Sequence, residues 1–267
     1  MVFELRGHAV GIEAEDRDRE VIRQLLPGYL VPGAERPPLW YRCRRTAKTW
    51  VVEDPRAGNR RTFRSAADAW DAIEYLVSWH LLRANASVPQ VHAAGAVTSR
   101  GAVLALGQSG GGKSSIALHW SMNGLRVLGD DVVLLEGARI APFKRLFSVS
   151  PTRLARYPVT TSPLFDSLSD DEDAWYDPAR HGGAGWAEPA PAVRIGVVEF
   201  VADLGARIEV EPLGAPALLN HLSASLLPGG APSTACFDHL VSIARRAEGM
   251  ILRFGEAGLA ADYLARP

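Results

Sequence analysis

The sequence predicts an α/β protein with a small α+β domain ahead of its main core. Three observations lead there. Residues 102–135 run strand, glycine-rich loop, helix, strand, the βαβ texture of an α/β core. The first 60 residues alternate in short bursts (VFEL, HAVGI, LWYRC, TWVVE) separated by turn formers such as PGAERPP and AGN, a small sheet. Between the two lies one long helical stripe. The expected division is residues 1–88 for the α+β domain and 89–267 for the core.

Taken in order, an early helix is expected around Asp16–Leu26. Ser65 then caps a long helix over about Ala66–Arg83, because Ala69, Trp70, Ile73, Leu76, Val77 and Leu81 recur at helical spacing as a core-facing stripe. Past Pro89, Val91–Thr98 and Ala102–Leu106 read as two strands joined by a turn at Ser99-Arg100-Gly101. A helix follows from Lys113 to about Asn123, ended by Gly124. Leu125–Leu128 and Val132–Leu135 flank Gly129-Asp130-Asp131 as strands. Residues 158–192 form a long loop with the acidic run Asp170, Asp171, Glu172 and Asp173 and the Pro189-Ala190-Pro191 stretch, which suits a lid or a solvated face. Val193–Val201 is a further strand. Ala215–Leu227, Thr234–Ala247 and Glu256–Ala265 are amphipathic segments.

Composition narrows the function. The 267 residues are 47% hydrophobic and 22% charged with a net charge of −1, which points away from nucleic acid as a general partner. No apolar run approaches the ~20 residues that cross a bilayer, and the N-terminus lacks the apolar stretch of a secretory signal, so no membrane partner is expected. Cys43 and Cys236 are far apart and form no metal-binding pair; they suit a reducing, cytoplasmic setting.

The chemistry concentrates in Gly107-Gln108-Ser109-Gly110-Gly111-Gly112-Lys113-Ser114, which fits the phosphate-loop pattern G-x-x-x-x-G-K-[ST]. Gly107, Gly110, Gly111 and Gly112 let backbone N–H groups turn inward around phosphate oxygens, and the helix that follows directs its positive end at the same place. Lys113 supplies a point charge to the β and γ phosphates, and the Ser114 hydroxyl is a hard ligand for Mg²⁺. Ser109 and Ser115 complete the expected nucleotide-binding set. Asp130 and Asp131 follow one helix and one strand later, at a strand's carboxyl end, where open α/β sheets bind ligands. One carboxylate can hold metal while the other takes the proton of an attacking hydroxyl. An antiparallel pairing carries His92 toward the same region, where an Asp–His pair would orient the carboxylate. Lys144 and Arg145 are cations suited to a phosphoryl transition state. Lys48, Arg60 and Arg61 read as surface.

His92, GQSGGGKS at 107–114 and the Asp130-Asp131 pair, in that spacing, resemble HPr kinase/phosphorylase, and IAPFKRLFSV at 140–149 is similar to the basic segment of HPr-kinase-like proteins. The resemblance implies a P-loop phosphotransferase core of the type shared with phosphoenolpyruvate carboxykinases. It implies ATP and Mg²⁺ as cofactors, a serine hydroxyl as acceptor, Asp130 as the base paired to His92, and Asp131 near the metal. HPr kinases form rings, so a homo-oligomer is compatible with the likeness, although nothing in the sequence requires one. The family run E-x-R-G-L-G-I-x-N-V is missing after Asp131, where Glu136-Gly137-Ala138-Arg139 stands instead, and residues 1–88 differ from that family's N-terminal domain. The closer likeness is to the kinase-like members of peptide-modification clusters, including lasso-peptide precursor kinases, with a peptide or small protein as partner. A small-molecule hydroxyl kinase and a non-catalytic ATP-binding regulator are the alternative readings.

Overall fold

The computed structural model describes residues 1–32, 40–157, 174–228 and 234–267. The acidic run Asp170–Asp173, the first half of the 158–192 loop and most of the PGAERPP turn lie outside them. The architecture is mixed α/β, with seven α-helices among the described residues and no helix long and apolar enough to cross a membrane. The chain folds as two compact units. One takes residues 1–86 and Lys144–Leu146; the other takes Ser87–Phe143 and most of the chain beyond Leu146.

The first unit is a five-stranded sheet in sequence order: β1 (Val2–Leu5), β2 (His8–Ala14), β3 (Trp40–Arg45), β4 (Trp50–Asp54) and β5 (Asn59–Phe63). Only β2 and β3 are parallel, and the connection between them carries α1 (Asp16–Leu25), as a parallel pair demands. α2 (Ala66–Ala84) starts where Ser65 Oγ accepts the Asp68 amide at 3.0 Å, and its stripe Ala69, Trp70, Ile73, Val77 and Leu81 is buried. The Asp18 carboxylate is also buried but accepts the indole N–H of both Trp50 and Trp70. Burial pushes the Cys43 thiol up to about 12, so it stays protonated.

The second unit is built on an eight-stranded sheet. Its strands are β6 (Gln90–Val97), β7 (Ala102–Leu106), β8 (Arg126–Gly129), β9 (Val132–Glu136), β10 (Arg139–Pro142), β13 (Ala190–Phe200), β14 (Ile208–Leu213) and β15 (Glu248–Phe254). Between β10 and β13 in sequence come β11 (Phe147–Val149), α4 (Pro151–Leu154) and β12 (Ala174–Tyr176). The order is β10-β9-β6-β7-β13-β15-β14, with β8 also on β6. β7, β13 and β15 are mutually parallel; the other pairings are antiparallel. The expected strand–loop–helix–strand run is therefore a split βαβ: α3 (Lys113–Met122) links β7 to β8, but β6 lies between them. The start of β13 pairs with β10 and the rest with β7, so the sheet curls into a ring at that end.

Helices cover both faces. Ile195 and Val197 face a core with Leu218 and Leu222 of α5 (Ala215–Ala224) and Leu240 and Ile243 of α6 (Thr234–Arg246). The intervening Gly196 faces Leu264 of α7 (Ala257–Ala265); a Cβ there would come within 2.9 Å of it. The sequence pattern overlooked β14 and β15. β15 is a short apolar run buried between β13 and β14. β14 is exposed and carries Pro212, which a sheet accepts on its edge strand. It also placed Pro189–Pro191 in a loop, whereas β13 already begins at Ala190.

Candidate functional site

The site grows from the place where β7 leaves the sheet. Leu106, the last residue of that fully buried strand, stands between Ala93 of β6 and Val197 of β13. The chain then passes close to the β13 backbone: a Cβ on Gly107 would lie 2.7 Å from the Val198 carbonyl oxygen. Gly110 and Gly112 adopt left-handed φ values of +81° and +96°. Gly112 is also the N-cap of α3, and a Cβ there would approach the Phe254 ring to 2.8 Å. Glycine is thus required by close approach and by backbone conformation in one turn. α3 is anchored from behind by the Trp120 indole, which donates to the Ala261 carbonyl at 2.9 Å.

Lys113 is buried at the first position of α3, and its ammonium folds back over the loop to donate to the carbonyls of Gly107 (2.9 Å) and Gln108 (3.0 Å). Burial lowers its pKa, while the fields of Asp131 and Asp130 act in the opposite direction. Both aspartates therefore lie within electrostatic reach of the loop lysine. Ser114 follows in the first turn of the same helix, with Ser115 next to it.

Along the other side of β6, β8 and β9 form one interrupted antiparallel path. Gly95 pairs with Gly129 and His92 with Val132, and a β-bulge at Leu128 breaks the register. Asp130 and Asp131 lie between those two pairings, beyond the bulge, and the Ala93 amide donates to the Asp131 carbonyl at 3.1 Å. The outcome differs from the expected pairing: His92 Nε2 lies 2.8 Å from Oδ1 of Asp131, not of Asp130. Both partners of this pair are partly exposed, whereas Asp130 is buried, with 4% of its surface accessible. Among the described residues no group of three or more His, Cys, Asp or Glu side chains converges as a metal cage. Ser114, Asp130 and Asp131 carry the oxygen atoms that could serve a divalent cation in this region.

Beyond the loop opens a cleft of about 890 Å³, lined by His92, the loop, the carboxyl end of β13 and residues 221–228. Its second wall has a simple origin. Past Leu106 the place beside β6 is vacant of β7, and Ser225–Leu227 fill it: His92 N–H donates to the Ser225 carbonyl (2.8 Å) and Leu227 N–H to that of Gln90 (2.9 Å). Glu199, Phe200, His221 and Ser225 were not singled out from the sequence. For Glu199 and Phe200 the signal is positional, since β13 lies parallel to β7 and its end must emerge beside the loop. Glu199 accepts from Arg253 at 2.9 Å, and Phe200 meets Phe254 edge-on at 6.0 Å.

Lys144 and Arg145 belong to the first unit. The Lys144 amide donates to Tyr29 Oη at 2.8 Å, and Arg145 Nε lies 3.7 Å from the buried Glu74 carboxylate. Lys144 is thus held through its backbone, and Arg145 through its guanidinium. Compared with known proteins, the chain matches no family model and no curated relative.

Proposed function

We propose that the chain is an ATP- and Mg²⁺-dependent phosphotransferase that acts on a serine hydroxyl of a peptide or small protein, a P-loop kinase of the HPr-kinase-like kind. The observation that carries this reading is the joint placement of a glycine turn on a helix N-terminus, a buried lysine over that turn, and a His–Asp pair whose field reaches the lysine. The residues fit a nucleotide. Gly107 and Gly112 leave room where any side chain would collide, and the amides of Gly110–Lys113 with the α3 terminus suit phosphate oxygens. Mg²⁺ keeps several waters and needs few protein ligands, so hydroxyl and carboxylate oxygens such as those of Ser114 and Asp130 are the kind it takes. When bound, MgATP supplies a γ-phosphoryl group whose charge the metal partly neutralises.

The chain's own residues then divide the work. Lys113 can exchange its loop carbonyls for phosphate oxygens. Ser114 and the buried Asp130 would hold the metal. Asp131, more exposed and open to the cleft through its His92 partner, accepts the serine proton while the serine oxygen bonds to phosphorus and the bond from phosphorus to the leaving ADP oxygen breaks. The His92 N–H on one carboxylate oxygen leaves the other for that proton. This exchanges the roles that the family likeness assigns to the two aspartates.

The test is incubation with γ-labelled ATP and serine peptides, read by intact mass. His92→Ala and Asp131→Asn should keep nucleotide affinity and lose about 100-fold or more in transfer. Asp130→Asn should lose Mg²⁺-dependent affinity. Lys113→Ala should lose both, and undiminished transfer in that variant overturns the assignment. Nucleotide binding without transfer to any hydroxyl would favour the regulator reading.

A further inference from the structure

The first unit concentrates positive charge in a way the rest of the molecule does not. Residues 44–64 carry seven basic and two acidic side chains, a net of +5 in a chain whose total is −1. All seven cations, Arg44, Arg45, Lys48, Arg56, Arg60, Arg61 and Arg64, are exposed. The register places them around one strand. Arg45 lies opposite Trp50, which lies opposite Phe63, so Arg45, the Lys48 turn and Arg64 gather at one end of β5. Arg56 stands in the turn at its other end, and Arg60 and Arg61 are on it, facing opposite sides.

Among the described residues β5 pairs only with β4 and is the edge of its sheet. An edge strand presents a row of backbone donors and acceptors to an extended chain. Charge on an edge also discourages unwanted pairing, but either sign serves that purpose, and it does not call for seven cations around a five-residue strand. Some of this charge is engaged locally: Arg44 lies 3.9 Å from Glu13, Arg45 sits over the Trp50 ring, Arg56 meets His80, and Arg60 is across from Glu53. No acidic side chain stands opposite Arg61, whose cross-strand neighbour is Val52.

We infer that the β5 edge is a docking strand for an extended acidic polypeptide, which adds as a sixth strand and neutralises the arginines that flank it. Sheet geometry selects a polypeptide over a nucleic acid, because a nucleic acid has no backbone ladder to match. The inference stands on the first unit alone and holds whether or not the chain transfers phosphate.

The experiment is fluorescence anisotropy of the full chain with a labelled synthetic peptide of alternating glutamate and valine. Matched probes are the glutamate-to-lysine peptide, the same acidic peptide N-methylated at alternate backbone positions, and a single-stranded oligonucleotide of equal charge. The acidic peptide should bind in a salt-dependent manner. R60E/R61E and the milder R60Q/R61Q, both at exposed positions and checked for an unchanged melting temperature, should weaken it about tenfold or more. N-methylation should abolish binding. Absence of binding, unweakened binding of the N-methylated peptide, or tighter binding of the oligonucleotide would each overturn the proposal.

Discussion

The eight-stranded sheet and the five-stranded sheet place polar residues by different rules. In the larger, β7 is buried along its whole length and β9 nearly so, because helices cover both faces. Polar side chains gather where the chain leaves the sheet, at Gly107–Ser114, His92 and Asp130–Asp131. In the smaller, β3 alternates buried and accessible residues, and its open face carries a ladder in which Arg42 meets Glu13 (3.0 Å) and Glu53 (3.9 Å). Position alone marks a candidate site in the first sheet. In the second, polar residues are expected everywhere, and only an imbalance of charge stands out.

Substitutions can break or sharpen this contrast. The largest change in stability is expected inside the larger sheet. Leu104→Ala in β7 removes a side chain packed between covered faces and should cost about 2–5 kcal/mol by chemical denaturation. A cost under ~1 kcal/mol would mean the sheet is less tightly packed than its burial indicates. A smaller, pH-dependent effect is expected at His181. Burial lowers its pKa below 6.5, and its Nδ1 accepts the Asp177 amide at 2.9 Å, a bond that protonation there would break. As pH falls through 6.5 the unfolded chain takes up the proton first, so stability should decline on acidification and remain level above that point. His181→Gln should flatten the decline, leaving the part due to His80 of the smaller unit, whose pKa burial also lowers. Melting curves from pH 7.5 to 5 that show no difference between the two proteins would refute this. The smallest effect is expected on the open face, where Glu13→Ala should cost less than ~1 kcal/mol and the cost should shrink further in high salt, because both partners of that pair are about half exposed.

The elements flanking the loop were legible because local signals agree there. Gly112 caps, Lys113–Met122 carries a helix, and Gly124 ends it at a φ of +87°. Ser65 and the α2 stripe were legible for the same reason. The partner of His92 was not. Gly95–Gly129 and His92–Val132 keep one register, so strand alternation alone would put Asp130 on the His92 side, but the chain bends at Asp130 and Asp131 and the alternation is interrupted there. Nothing in the residue types of 126–132 announces how that bend turns the two carboxylates. The neighbours of Lys144 and Arg145, Tyr29 and Glu74, were not legible because they are far away in sequence. β15 was missed because its apolar stretch Met250–Leu252 is too short for the residue types to show alternation.

The supports of the glycine turn carry a consequence for biosynthesis. Residues 107–112 leave the ribosome well before Val198, Ser225 and Phe254, against which the turn and its neighbour His92 are seated. Until those segments are made, β7 lacks its parallel neighbour and the stretch of β6 at His92 remains half paired. A nascent chain stalled before residue 198 would therefore display the glycine-rich motif without the walls that shape it.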